Sequence, residues 1–199
     1  AWDREEAKKL LYFETGELTT GTLSPKAIEY QFNDEAKQRY AEWRDLAVEY
    51  NPDAAMELLD SINITDTTGD GWRNFPDGSE LKVYFDAPGD EGSEHRTKNE
   101  LLAKHWTEIG IQTQMNPIPS GHDEMWRAGE SMSKCAWEVG DGPNHLVYPQ
   151  WLVPIGDSRW APMQGRFYAV RGTEKEGTEL DVDPWERQPP RLEAEAGGP

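Results

Sequence analysis

A mixed α/β fold with a small sheet is the class this 199-residue sequence predicts. Three observations carry it. Leu81, Val83 and Phe85 alternate with Lys82 and Tyr84, the period of a half-buried strand. Ile111, Thr113 and Met115 alternate in the same way. Between them, residues 94–109 set Leu101, Leu102, His105 and Ile109 on one helical face, and Gly110 suits the left-handed residue that follows a helix. Strand, helix and strand in this order form a βαβ unit, with parallel strands and a right-handed crossover.

The other elements follow in chain order. Asp3 is an N-cap candidate, with Glu5 and Glu6 in a first turn where the helix dipole favours anions, and Ala7, Leu10 and Leu11 make a short apolar face. Residues 21–25 read as a loop. Asn33 or Asp34 starts a second helix whose Ala36, Tyr40, Trp43, Ala47 and Tyr50 recur at helical spacing as one aromatic stripe, read as core or interlobe packing. Asn51-Pro52 opens a third helix, with Ala54, Ala55, Leu58, Leu59 and Ile62 expected to be buried. Residues 63–80 are rich in Asp, Gly and Pro and read as a loop. Met125, Ala128 and Met132 suggest a helix over 122–132, and residues 134–139 a third strand in which Cys135 is a small buried hydrophobe. Beyond Asp141 the pattern loses its periodicity, and from Gly172 onward it is charged and proline-bearing. The expected organisation is therefore an α/β unit over 1–171 and a polar, mobile segment over 172–199.

Composition narrows the function. Thirty-eight acidic against 20 basic residues give a net charge of −18, a field that repels phosphate backbones, so nucleic acid is an unsuitable partner. The single cysteine rules out an internal disulfide. No apolar run is long enough to span a bilayer, and no signal peptide is seen at the start. No Gly-rich phosphate loop, nucleophile elbow or Cys–His pair is present. His122, Asp123 and Glu124 are adjacent and point apart on a helix, and His95, His105 and His145 lack ligand spacing.

One loop has the outline of a calcium site. Asp66, Asp70, Asn74 and Asp77 fall at the first, fifth, ninth and twelfth positions of such a loop, with Gly71 at the sharp turn. Thr68 at the third position and Asp rather than Glu at the twelfth depart from the pattern. The same residues fit a long turn held by Asx caps. No other cofactor is expected.

Three segments in sequence resemble one family, the family 5 extracellular solute-binding proteins of ABC importers. They are Asp3-Arg4-Glu5-Glu6 with Gly16-Glu17; Asn51 to Asp60 followed by Ile64 to Gly78; and Asn99 to Ala103 running to Glu108-Ile109-Gly110-Ile111. The resemblance covers roughly residues 3–142. Arg159-Trp160-Ala161-Pro162 is similar to a longer subgroup of the same family.

The resemblance implies a lobe of the type II periplasmic-binding-protein kind, without catalytic residues. The family's chains are much longer and fold as two lobes around a cleft, so the sequence is expected to be a piece of the second lobe. It would capture a peptide, or alternatively an oligosaccharide, together with the remaining lobe. It would then dock on a membrane permease, in the periplasm or outside the cell, lipid- or membrane-associated. In the family's peptide binders this region carries a Trp near an Asp that pairs with the ligand's α-amine. Trp137 and Asp141 are the corresponding candidates, spaced four apart where those binders keep three. Trp151 and Trp160, with Phe167 and Tyr168, lie in the irregular C-terminal part, where flat rings can stack on sugars or plug a thin core. Two other classes compete. A glycoside hydrolase fragment would use two carboxylates, a signal that 38 acidic residues make uninformative. A calcium-dependent structural module would rest on the Asp66 loop alone.

Overall fold

The structure, a computed structural model, describes residues 1–19, 27–133, 155–156 and 161–178. Its centre is the βαβ unit. Strand β1 (Lys82–Asp86) pairs in parallel with β2 (Gln112–Asn116), Lys82 opposite Gln112 and Asp86 opposite Asn116. The crossover between them is the longest described helix, Glu94–Glu108, which is α5 once the four helices before β1 are counted.

Each end of α5 is fixed locally. Ser93 caps it by accepting from the Arg96 N–H at 3.2 Å. At the other end Gly110 sits at φ +82°, and the N–H groups of Gly110 and Ile111 donate back to Thr107 and Trp106. These two hydrogen bonds close two of the carbonyls a helix end leaves open. The face foreseen for α5 is the buried one: Leu101, His105 and Ile109 are all buried, and Trp106 lays its ring 5.9 Å from that of Phe85 on β1.

Before the unit stand α1 (Arg4–Leu11), α2 (Ile28–Gln31), α3 (Asp34–Asp45) and α4 (Pro52–Ser61). Asp3, Asn33 and Asn51 each accept from a backbone N–H three residues on, so the N-caps read from sequence are the ones that form. The aromatic stripe does not run along one helix. Helix α3 stops at Asp45, Leu46 is extended and Ala47 turns at φ +50°, which redirects the chain before Tyr50. Tyr40 is buried against Tyr30 at 4.8 Å, Trp43 is exposed, and Tyr50 packs on His105 at 5.2 Å. The α4 face is likewise not fully buried: Leu58 is 69% and Ile62 54% exposed, while Ala54, Ala55 and Leu59 are half-buried.

After β2 come α6 (His122–Arg127), shorter than the pattern over 122–132 suggests, and a helix at Pro162–Val170, here α7. That helix lies where the sequence offers no periodicity; Phe167 and Tyr168 sit on it, edge to face at 5.2 Å. Residues 171–178 are exposed turns. The third strand expected over 134–139 lies outside the described residues. No helix among them is long and apolar enough to cross a membrane.

Candidate functional site

In an open parallel sheet ligands bind beyond the carboxyl ends of the strands. Here those ends meet in a buried polar node. Asp86, the last residue of β1, is only 6% exposed. Its Oδ1 accepts from Asn116 Nδ2 at 2.6 Å, at the end of β2. Its Oδ2 accepts from the Met132 N–H at 2.7 Å and from Ser131 Oγ at 3.2 Å. The Asp86 N–H donates to Ser133 Oγ at 2.9 Å, and that hydroxyl donates to the Tyr84 carbonyl at 3.1 Å. His122 Nε2 closes the group, 2.9 Å from Ser131 Oγ. Burial alone pushes the Asp86 carboxyl up, but the donors from Asn116, Met132, Ser131 and Ser133 together outweigh it and hold the pKa below its ordinary value. Ser131 rather than the imidazole lies between the acid and the rest, so the group is not arranged as a nucleophile with its base.

A second node joins α1 to α5. His105 is 2% exposed; its Nδ1 accepts from the Asp3 N–H at 3.2 Å, so the ring's proton is on Nε2, which donates to Glu6 Oε2 at 2.7 Å. Lys104 Nζ reaches the same carboxylate at 2.9 Å. Lys104 first and His105 second hold the Glu6 carboxyl below its ordinary range. Asp3, Glu6 and His105 are the one His/Cys/Asp/Glu trio among the described residues whose donor atoms all lie within 4.8 Å of one another. Both imidazole nitrogens are already engaged and an ammonium already neutralises Glu6, so the trio is a hydrogen-bonded tie rather than a cation cradle. Beside it, Tyr50 donates to Glu108, which pushes the phenol up to about 12. Residues of this tie are long-range partners, up to 102 positions apart, and no local spacing marks them.

A cleft of about 400 Å³ opens between α1 and the start of α5, walled by Trp2, Arg4, Lys8, Tyr12, Glu94 and Lys98 among others. Tyr12 donates to Glu94 at 2.8 Å, and Arg4 lies 5.6 Å over the Trp2 ring.

The Asp66 loop keeps its shape with its own backbone. Asp66 accepts from the N–H groups of Gly71, Gly69 and Thr68, the first two lowering its pKa most. Asp70 accepts from the Trp72 N–H and Asp77 from the Ser79 N–H. Asn74 is buried, and its Oδ1 takes both the N–H and the hydroxyl of Thr67. Asp66, Asp70 and Asp77 thus form Asx-type turns, and Asn74 ties back to Thr67 seven residues earlier. Sequence reading missed the residue that ties this loop down. Arg73 donates from Nε to the Ile109 carbonyl at the end of α5 and from its guanidinium to the Ile64 carbonyl and to Asp60. Its N–H meets the Gly110 carbonyl at 2.8 Å, an approach that suits glycine, since a Cβ there would lie 3.3 Å from Arg73 and from the Gly71 carbonyl.

Trp137, Asp141, Trp151 and Trp160 all lie outside the described residues. The node on Asp86 holds residues 131–133, directly before the stretch that bears the first two.

Comparison with known proteins places this fold. The sequence profile of bacterial extracellular solute-binding proteins, family 5 Middle, matches residues 1–153. The chain belongs to that family. It is a family of binding proteins rather than enzymes, and an extracellular one, so the location is periplasmic or extracellular. No curated protein matches this solute-binding chain. Among solved structures, an oligopeptide-binding protein OppA is similar at 21% identity and a TM-score of 0.62, over 97% of this chain and 29% of that one. The periplasmic oligopeptide-binding protein of an ABC transporter from Thermotoga maritima is similar at 20% identity and a TM-score of 0.54, over 75% and 28%. A structure of the Thermotoga maritima protein described as mannohexaose-bound aligns at 20% identity and a TM-score of 0.51, over 66% and 24%. These likenesses establish the periplasmic-binding-protein fold. The chain spans 24 to 29% of the length of these solved structures.

Proposed function

We propose that this chain is the ligand-capturing lobe of the substrate-binding protein of an ABC importer, and that its ligands are peptides. The observation that carries the reading is the family match over residues 1–153. Capture works by closure of two lobes around a hinge, and the closed form is what a membrane permease recognises. The binding protein works in the periplasm or at the cell surface, held there by a lipid or membrane attachment.

For a peptide, Asp141 neutralises the α-ammonium, a charge-assisted contact that strengthens as the closing lobes expel water, and Trp137 packs its flank. No atom is transferred, so no catalytic residue is needed.

A second reading has its own support. The similar Thermotoga maritima protein carries an oligopeptide-binding title, yet one of its structures is described as bound to mannohexaose. An oligosaccharide would use Trp137, Trp151 and Trp160 as stacking faces and leave Asp141 as a turn residue.

Mass spectrometry of what co-purifies with the two-lobe protein decides between them. Bound peptides are expected, and Asp141→Asn should then release them. Bound oligosaccharides overturn the peptide reading, and turnover of a sugar probe overturns the binding-protein reading itself.

A further inference from the structure

Sequence pattern and turn geometry meet just past the end of α4. Asn63-Ile64-Thr65 is the one Asn-X-Ser/Thr triplet in the sequence. That pattern is the acceptor for N-linked oligosaccharide on proteins outside the cytoplasm. The turn that holds it is complete without the Asn63 side chain. Asn63 stands at φ +60°, its N–H donates to the Asp60 carbonyl at 3.0 Å, and the Ile64 N–H donates to the Leu59 carbonyl at 2.9 Å. These are the bonds that end a helix through a left-handed residue, a place usually taken by glycine. Glycine would close it without strain. What asparagine adds is a carboxamide that the turn does not use. Neither that carboxamide nor the Thr65 hydroxyl makes a hydrogen bond among the described residues. Ser61, Ile62 and Asn63 are all exposed, so the amide nitrogen is open to a large reagent. Thr65 is fixed through its carbonyl, which accepts from the Asn74 N–H at 2.8 Å.

Arg73 sets where the triplet lies in the fold. Its guanidinium joins the Ile64 carbonyl to the Ile109 carbonyl, at 2.6 and 2.7 Å. Ile109 precedes β2, so the triplet is at the amino ends of the strands. Ligands of a parallel sheet bind at the opposite, carboxyl ends. An oligosaccharide on Asn63 therefore leaves that end open.

We propose that Asn63 is an N-glycosylation site, modified by a transferase that uses a lipid-phosphate-linked oligosaccharide. In that step Asn63 Nδ2 attacks the anomeric carbon of the first sugar. The new bond from Nδ2 to that carbon replaces the bond from the carbon to the phosphate oxygen. The amide gives up one proton, and the lipid phosphate leaves as the anion. The inference rests on the extracellular location of the family and not on which ligand the protein captures.

The test is mass spectrometry of the full-length protein made by its own source cells and recovered from outside the cytoplasm. Trypsin cuts after Arg44 and Arg73 and frees residues 45–73 as one peptide, with no Lys or Arg between. That peptide is expected to carry a mass increment made of sugar units, with fragment ions that place it on Asn63. Three variants made in the same cells sharpen the result. Thr65→Ala keeps the asparagine and its turn, and is expected to lose the increment. Asn63→Gly suits the left-handed backbone, so it folds, and it too is expected to lose the increment. Thr65→Ser restores the hydroxyl and is expected to keep it. A bare peptide in the exported protein overturns the proposal, and so does an increment that survives Thr65→Ala. A bare peptide in protein found only inside the cytoplasm overturns it as well, and takes the extracellular location with it.

Discussion

Asp66 and Asp86 are both carboxylates whose hydrogen bonds hold them below the ordinary range, yet they organise the chain on different scales. Asp66 is exposed and accepts from N–H groups and the Thr68 hydroxyl, all within five residues ahead. Asp86 is buried, and its partners lie 30 to 47 residues away. The first shapes one turn. The second decides which three segments meet at the carboxyl ends of the strands. A motif that is conspicuous in sequence can be held within one turn, while the residue that ties distant segments together carries no motif at all.

The largest expected effect is therefore at Asp86. Replacing it with Ala strands the donors of Asn116, Met132 and Ser131, a loss of about 3 kcal/mol in denaturant unfolding. Asp66→Ala should cost clearly less, because water replaces its partners' lost acceptor. Equal losses would erase the distinction. Next comes Arg73, which bridges α4, the loop and the end of α5. Arg73→Ala should cost about 2 kcal/mol, and Arg73→Lys should recover only part, since an ammonium cannot reproduce the fork. Full recovery by Lys would mean that charge rather than geometry matters there.

Acid sharpens the comparison further. The Asp86 and Glu6 carboxyls lie below their ordinary values of 3.8 and 4.5. Their contribution is thus complete above those values and is lost as pH falls through the lowered ones. Stability should decline below about pH 4.5, and the decline should be shallower in Asp86→Asn. An unchanged slope would show that other carboxylates set it. The smallest expected effect is at the Asp66 loop. Asp66 already takes three backbone N–H groups of the turn, so millimolar calcium should leave the melting temperature where it was. A rise that Asp66→Asn abolishes would make the loop an ion site after all.

The βαβ unit, its parallel strand pairing and the caps at Asp3, Asn33 and Asn51 were legible because period, capping and turn chemistry act over a few residues. The stripe through Tyr40, Trp43 and Tyr50 misled because helical spacing continued past Asp45 while the backbone did not, and Ala47 gave no warning. Helix α4 shows every local sign of a buried helix; burial is decided by neighbours, and among the described residues they leave Leu58 and Ile62 exposed. The ties of Glu6 to His105 and of Asp86 to residues 131–133 were invisible for a related reason: they exist only once distant segments have been brought together. The ligand residues proposed from family resemblance, Trp137, Asp141, Trp151 and Trp160, lie outside the described residues and rest on that resemblance.

The measurement closest to the central claim is a calorimetric titration of two proteins with the same tripeptide pool: the isolated 199-residue chain and the two-lobe protein that contains it. As the lobe proposed above, the chain offers half a cleft. Binding is expected in the two-lobe protein and weak or absent in the isolated chain. Micromolar binding by the isolated chain would contradict the account.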